Sequence, residues 1–298
     1  MLSYDIERWF YLHLASSLPP HVKIARAYPS DNDMAHNLLL EDLSVEFPYS
    51  ASGSMDQDAT ICVLNWLAGF HGTYFQAHRH PEGVVPIVPA PRAWREGSTT
   101  CGVWQRGTYF YLETRREELE ETDREEYAWL FPWIEKVNDA IEREIQRYGT
   151  IVHGDVKSAN IVFNRRPSRT GKKAYQAVTD GSIPLRCALY DFQYVGLGLP
   201  ALDLVYFLGM SVSPSLLSPS SEKELLQVYH ASLQRCLTDQ GTSHESYAFN
   251  IFWHHWELAI VDWYRFMTGW GFWGNDNWVR RRAREIMRSW ETQNRRLP

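Results

Sequence analysis

Eight residues, His153-Gly154-Asp155-Val156-Lys157-Ser158-Ala159-Asn160, followed some thirty residues on by Asp191-Phe192-Gln193, constrain this chain more than any other feature. Gly149-Thr150-Ile151-Val152 before the eight and Ile161-Val162-Phe163 after them read as short apolar strands, which puts the polar residues on a tight loop. Asn164 to Lys173 is basic and polar, and Ala174 to Val178 and Leu185 to Tyr190 flank a turn signal at Asp180-Gly181. The pattern predicts a β-hairpin with an extended tip that delivers Asp191 beside the loop.

Phosphoryl transfer asks a protein for a carboxylate that orients and deprotonates a hydroxyl, and for two oxygen ligands to magnesium. Asp155, Asn160 and Asp191 are groups of those kinds, and the loop spacing lets the first two face one phosphate from different sides. Lys157 would stand as a point charge beside the γ-phosphate and offset the negative charge that develops in the transition state. His-Gly-Asp alone also fits an ordinary turn followed by a solvated lysine. The full spacing to Asn160, with a strand-borne Asp-Phe, is far more specific.

At these residues the chain resembles the kinase-like small-molecule phosphotransferases: aminoglycoside phosphotransferases, choline and ethanolamine kinases, and ecdysteroid-kinase-like proteins. They share the two-lobed protein-kinase fold but carry His-Gly-Asp where protein kinases carry His-Arg-Asp, which implies a small-molecule substrate. The match runs on through Asp191-Phe192-Gln193-Tyr194-Val195-Gly196 and Pro200-Ala201-Leu202-Asp203-Leu204-Val205-Tyr206-Phe207. The resemblance implies ATP and magnesium as cofactors, Asp155 as base and Asn160 with Asp191 as metal ligands. It also implies that His153 and Asp203 support the catalytic loop.

Upstream, Glu7-Arg8-Trp9-Phe10-Tyr11 looks like the family's E-x-x-F-Y helix, whose glutamate pairs with the lysine that grips the nucleotide's phosphates. Leu38-Leu39-Leu40-Glu41-Asp42-Leu43 looks like the strand entering the hinge, where backbone groups meet adenine. Glu7, Glu41 and Leu43 are thereby nucleotide-side candidates, against the local reading of a Glu on an amphipathic helix as a solvated face.

An enzyme of this type carries a glycine-rich loop and a lysine strand before the helix of Glu7. Met1 stands almost at that helix, so the expectation is a chain without them, either an incomplete version of a working kinase or a natural protein lacking half its nucleotide grip. Retention of Asp155 and Asp191 favours the first. Lys23, on an expected Val22-Lys23-Ile24-Ala25 strand, is in the wrong chain order to substitute, and Gly196-Leu197-Gly198 follows the metal Asp. The expected class is α+β: a protein-kinase-like two-lobed fold with a truncated small lobe, residues 1–45, and a mainly helical large lobe, residues 46–298.

In the small lobe a helix is expected over about Ser3 to Ser16, with strands near His21 to Tyr28 and Asn37 to Glu41. Ile61, Leu64, Trp66, Leu67 and Phe70 give Asp58 to Phe70 a helical rhythm, and a long helix is expected from Glu125 to Gly149. His71 to Gly107 is irregular, and His78-Arg79-His80 within it has no third ligand nearby and reads as loop. Helices are expected over Ala201 to Met210, Ser221 to Cys236, Tyr247 to Phe266 and Asn277 to Arg288.

The helical stretch from Ala201 to Arg288 holds Trp253, Trp256, Trp263, Trp270, Trp273 and Trp278, six of the chain's 13 tryptophans, an enrichment that asks for a reason. Aromatics at helical spacing usually build core. Aromatic faces with carboxylates also hold protonated or quaternary amines, which makes Glu257, Asp262, Trp270 and Trp273 candidates for an acceptor pocket. Gly269-Trp270-Gly271-Phe272-Trp273-Gly274 reads as a loop of exposed aromatics lining it. The expected acceptor is a small-molecule alcohol or amino alcohol, with an aminoglycoside-like sugar or a steroid alcohol also open.

A net charge of -6 supplies no reason to expect nucleic acid as partner. Cys62, Cys101, Cys187 and Cys236 form no metal-ligand spacing and read as reduced thiols of a cytoplasmic protein. No membrane span or signal peptide is legible. Two other function classes compete with a kinase: a pseudokinase that binds ligand or partner without turnover, and a hydrolase using Asp155 and a metal. The hydrolase would need more carboxylate or histidine ligands than this constellation offers.

Overall fold

The computed structural model describes residues 2–28, 37–51, 53–77, 85–93, 99, 101–167, 183–241 and 247–292. The histidines at 78 and 80, the strand expected at 174–178 and the turn at 180–181 lie outside these residues.

Helix α1 (Leu2–His13) buries Ile6, Phe10 and Tyr11 and is followed by a single 3-10 turn, Ala15–Ser17. The two strands expected after it shrink to an antiparallel pair, β1 (Ala27–Tyr28) and β2 (Leu39–Leu40). Lys23 sits in an isolated parallel bridge with Ala188 rather than in a strand. Leu43 opens a 3-10 turn, Leu43–Val45, whose preceding residue Asp42 accepts a hydrogen bond from Ser44 N at 2.9 Å. Strand β3 (Tyr49–Ser50) follows.

Helix α2 (Gln57–Thr73) begins where the Asp56 side chain accepts from Ala59 N at 2.9 Å, satisfying an end group that the helix itself leaves unpaired. Residues 66 to 72 are buried on every side, the mark of a helix enclosed by neighbours rather than lying on a surface. It packs against α6 (Pro219–Asp239), which starts at a Ser218 cap followed by proline. At Gly72 a Cβ would stand 2.7 Å from Cys236 Cβ, so glycine sets how closely these helices approach.

Strands β4 (Ile87–Val88), β5 (Val103–Trp104), β6 (Thr150–Val152) and β9 (Gly196–Gly198) form one sheet in the order β4-β5-β9-β6, with β6 antiparallel to β9. Strands β7 (Ile161–Phe163) and β8 (Cys187–Leu189) form another with β3, and Ile161 is in register with Leu189. The loop from His153 to Asn160 therefore passes from one sheet to the other. Its neighbour from residue 190 to 195 makes the return crossing.

Between the sheets' strands lie α3 (Arg116–Glu120), a short helix inside the charged stretch, and α4 (Phe131–Tyr148). α4 begins six residues later than its hydrophobic rhythm suggests, because Pro132 is favoured in a first helical turn and disfavoured beyond it. Helices α5 (Pro200–Ser211), α7 (Phe249–Trp270) and α8 (Asp276–Thr292) complete the chain. α7 contacts α3, α4, α5 and α8 and is the axis of the C-terminal third.

Trp256, Trp263 and Trp278 are buried, so half of the tryptophan enrichment is core, and Trp290 joins it. Its polar edges are closed by one carboxylate: Glu222, 1% exposed, accepts from Trp256 Nε1 at 2.9 Å, Trp278 Nε1 at 2.8 Å and Arg282 Nε at 3.0 Å. That ties α6, α7 and α8 together with every donor satisfied. A second buried chain runs from Tyr247 through His255 to Glu144, at 2.9 Å for each hydrogen bond. No helix among the described residues is long and apolar enough to cross a membrane.

Glu222→Ala strands two indole N–H groups and a guanidinium, and is expected to cost about 3–5 kcal/mol in urea unfolding. An unchanged midpoint would show that the three donors find other partners. Burial holds the His230 and His255 imidazoles below their ordinary value of 6.5, so the unfolded chain binds more protons than the native one below that pH. Stability is thus expected to be full above about pH 6.5 and to fall as the pH drops. His255→Gln should flatten that slope, and an equal slope in both proteins would remove His255 as its source.

Candidate active site

The site begins with Asp203, in the first turn of α5 and 1% exposed. Its Oδ2 accepts from His153 N at 2.7 Å and its Oδ1 from Gly154 N at 2.8 Å, so one carboxylate holds two successive backbone amides. The grip is steadied from behind: His71 Nε2 of α2 lies 3.0 Å from Asp203 Oδ2, and His71 Nδ1 lies 2.8 Å from Tyr229 OH of α6. The tyrosine hydroxyl therefore donates to Nδ1, and Nε2 carries the hydrogen directed at the carboxylate.

Gly154 turns the loop at φ +85, and a Cβ there would meet Tyr194 O at 2.3 Å. Glycine is required both by the dihedral and by the closeness of the second loop. His153 Nε2 donates to Tyr190 O at 3.1 Å while its Nδ1 accepts from Asp155 N at 3.3 Å, joining the two loops from the other side. Burial pushes the His153 imidazole down, which keeps it neutral in this role.

Asp155 is 1% exposed. Its Oδ2 receives Lys157 Nζ at 2.7 Å and Asn160 Nδ2 at 3.1 Å, and its Oδ1 receives Tyr206 OH at 2.7 Å. Asn160 Nδ2 also donates to Asp155 O at 2.9 Å, so its amide nitrogen is committed and its carbonyl oxygen is the atom left for a cation.

Asp191 sits at φ 68, a left-handed conformation unusual for a residue with a side chain and common at functional turns. Phe192 anchors that turn: its ring stacks on Phe10 at 4.3 Å and lies 4.6 Å from His153, and its N–H donates to Glu7 Oε1 at 3.0 Å. Asp191 Oδ1 is buried with no hydrogen-bond partner. Burial, then the charge of Asp155, pushes the Asp191 carboxyl up.

Of the other expected residues, Glu7 lies against this turn, and burial with the Asp191 charge pushes its carboxyl up to about 7 against the Phe192 amide. Glu41 is engaged through its side chain: Lys23 Nζ lies 2.8 Å from both carboxylate oxygens and Arg26 N donates at 3.0 Å. Leu43 contributes its carbonyl to Phe47 N at 2.7 Å.

Trp270 and Trp273 fall in different settings. α7 runs through Trp270, which is 43% exposed, and residues 271–274 form the loop that follows, with Phe272 and Trp273 half-buried. Trp270 meets Tyr109 at 5.7 Å and Phe266 at 5.6 Å, while Trp273 packs on Trp263 and Phe266. Glu257 accepts from Trp253 and Trp290, and Asp262 is held by Arg265 Nη2 at 2.6 Å. Both carboxylates are engaged within the helical packing.

His71, Tyr206 and Tyr229 escaped the sequence reading, although Tyr206 reaches Asp155, His71 reaches Asp203 and Tyr229 reaches His71. Tyr206 had a signal: three residues after Asp203 on a helix, it lies on the same face. His71 and Tyr229 had none, since their partners are 132 and 158 residues away in the chain.

No curated protein matches the chain. Solved structures similar to it include a microcompartment-associated aminopropanol kinase, at 14% identity and a TM-score of 0.53 over 100% of this chain and 84% of that one. A choline/ethanolamine kinase family protein from Mesorhizobium loti shows 10% identity and a TM-score of 0.44, covering 98% of this chain and 81% of that one. The first likeness shows a shared fold, which is the α+β, kinase-like architecture with a helical large lobe. The model of the ecdysteroid kinase-like family matches residues 15–242, most of the chain, and the protein therefore belongs to that family of kinase-like small-molecule phosphotransferases.

Proposed function

We propose that this protein transfers the γ-phosphoryl group of ATP to a hydroxyl of a small molecule. The carrying observation is the pair of Asp155, held by Tyr206, Lys157 and Asn160, and Asp191, whose buried Oδ1 has no partner. Asp155 Oδ2 is saturated by two donors, so Oδ1, with one donor, is the oxygen that accepts a proton. Asp155 orients the acceptor hydroxyl and takes that proton as its oxygen bonds to the γ-phosphorus. The bond from phosphorus to the β–γ bridging oxygen breaks, and ADP leaves.

Asn160 Oδ1 and Asp191 are hard oxygen donors of the kind magnesium selects, and the unmet charge at Asp191 fits a cation there. Magnesium, when bound with the nucleotide, supplies positive charge beside the transferring group. Lys157, partly exposed, reaches that group from Asp155 as a second positive charge. Residues 1–45 form the nucleotide-side lobe on this reading, with Glu7 beside Asp191 and the Glu41 to Leu43 segment toward the base, while residues 46–298 carry the chemistry.

One observation favours a second reading, a protein of this fold that binds ligand without turnover: among the described residues no lysine or arginine pairs with Glu7. Magnesium-dependent ATP consumption separates the two. Consumption that requires an added alcohol supports the kinase, and consumption without one points to hydrolysis. Ligand binding with no consumption supports the second reading.

Asp155→Asn is expected to lower kcat by about 10^2 to 10^4-fold with nucleotide binding kept, as loss of a general base does. A kcat within a few fold of the wild type would remove Asp155 as the base. Tyr206→Phe takes one donor from Oδ1 and is expected to lower kcat by about tenfold with KM for ATP unchanged. An equal change in both parameters would place Tyr206 in binding instead.

A further inference from the structure

Behind Tyr194 lies a cavity of about 200 Å³, whose wall includes Trp104, Arg106, Thr108, Tyr111, Arg115 and Tyr194. At about 30 Å³ per water it has room for a group of roughly six or seven heavy atoms. Tyr194 belongs to the segment that follows Asp191, and its carbonyl lies against Gly154, so one residue touches both the cavity and the catalytic loop. Tyr109 closes the same corner: its ring meets Tyr194 at 5.0 Å, and its N–H donates to Gly154 O at 2.9 Å.

Two features of the wall point to the same ligand chemistry. Arg106 is 3% exposed and Thr108 is 4% exposed, yet Arg106 Nε and Thr108 Oγ1 are buried with no hydrogen-bond partner among the described residues. The Arg106 guanidinium is balanced on one side by Glu142, whose Oε1 lies 2.7 Å from Nη2. Glu142 does not line the cavity, so the guanidinium is fixed from outside while two donors are left over. Unmet donors at this burial are costly unless a ligand supplies acceptors.

The second feature is where the aromatic faces are spent. The Arg115 guanidinium lies over Tyr109 at 4.3 Å and over Trp270 at 4.8 Å, with Nε donating to Tyr109 O at 2.8 Å. Tyr109 and Trp270 are thus already covered by a cation belonging to the chain, as Tyr111 is by Arg106 at 4.9 Å. Glu257 and Asp262, the acidic groups an amine would seek, are engaged with indole N–H groups and Arg265.

Resting on the phosphotransferase reading, we infer that this cavity is the acceptor's recognition subsite and that it takes an anionic oxygen group, a carboxylate or a phosphate. The acceptor is then a hydroxy acid or a phosphorylated alcohol, with its hydroxyl at Asp155 and its anionic end between Arg106, Thr108 and Arg115. An amino alcohol meets two guanidinium groups on this wall, and the carboxylates near them are engaged, Glu142 with Arg106 at 2.7 Å and Glu118 with Arg115 at 3.3 Å. Like-charge contact of that kind is how a site rejects a wrong partner.

Calorimetric titration of the full chain tests this without turnover, using glycerate, glycerol 3-phosphate, ethanolamine and choline as probes. One of the two anions is expected to bind at least about tenfold more tightly than either amine, and which one does so tells carboxylate from phosphate recognition. Thr108→Val, which keeps shape and removes only the hydroxyl, is expected to weaken that anion about tenfold. Arg115→Met provides a second variant that leaves the buried Arg106–Glu142 pair intact, and it should weaken the anion at least as much. Binding of neither anion, an amine binding as tightly, or anion affinity unchanged in both variants overturns the inference.

Phosphoryl transfer to ethanolamine would overturn it while leaving the proposed function standing. Anion binding lost in both variants, with no phosphoryl transfer to any probe, would uphold the subsite and overturn the proposed function.

Discussion

One carboxylate holds the site together. Asp203 accepts from the amides of two consecutive residues, His153 and Gly154, and those residues are where β6 leaves one sheet and the chain turns toward the other. Backbone amides in a buried turn must find acceptors or be lost to desolvation. A loop that supplied its own acceptors would have to fold back on itself and could not carry Asp155 forward. Borrowing both acceptors from a helix leaves the loop extended and its side chains free to converge. His71 and Tyr229 then bind the helix end to α2 and α6, so the position of Asp155 is referred to the most enclosed packing in the molecule.

The second loop is held by different means to the same end. Asp191 arrives in a left-handed turn, fixed by the stacking of Phe192 on Phe10 and His153 and by the Glu7 carboxylate on the Phe192 amide. Two carboxylates, Asp155 and Asp191, are thus brought into mutual repulsion inside low-dielectric surroundings, with Lys157 offsetting part of it. Such a pair stores a demand for positive charge. The stability that tolerates this demand is supplied elsewhere, by the satisfied networks around Glu222 and His255 in the helical third.

Much of this was legible before the fold was known. Local patterns located α1, α2 and all four C-terminal helices, because apolar periodicity over ten or more residues is hard to satisfy in any other way. Short elements were less legible. The strands near residues 21–28 and 37–41 shrink to two residues each, since a strand's extent depends on having a neighbour. The aromatic run at 269–274 was legible in part: Trp270 is exposed and residues 271–274 are loop, but Gly269 and Trp270 belong to the end of α7. Glycine signalled a break there, whereas α7 continues through Trp270 because Phe266 and Tyr109 offer its ring a surface.

The sequence by itself determined the chemistry on offer: Asp155, Lys157, Asn160 and Asp191 are fixed in type and spacing, and local strand signals place them on adjoining loops. Tertiary structure alone decided which groups are free to act. Glu257 and Asp262 look available on paper and are engaged with indoles and an arginine in space, while Tyr206 and His71, unremarked in the chain, reach Asp155 and Asp203. The reason is physical. A side chain's charge and donors are properties of the residue, but whether they are already satisfied depends on partners a hundred or more residues away, which only folding brings within hydrogen-bond distance.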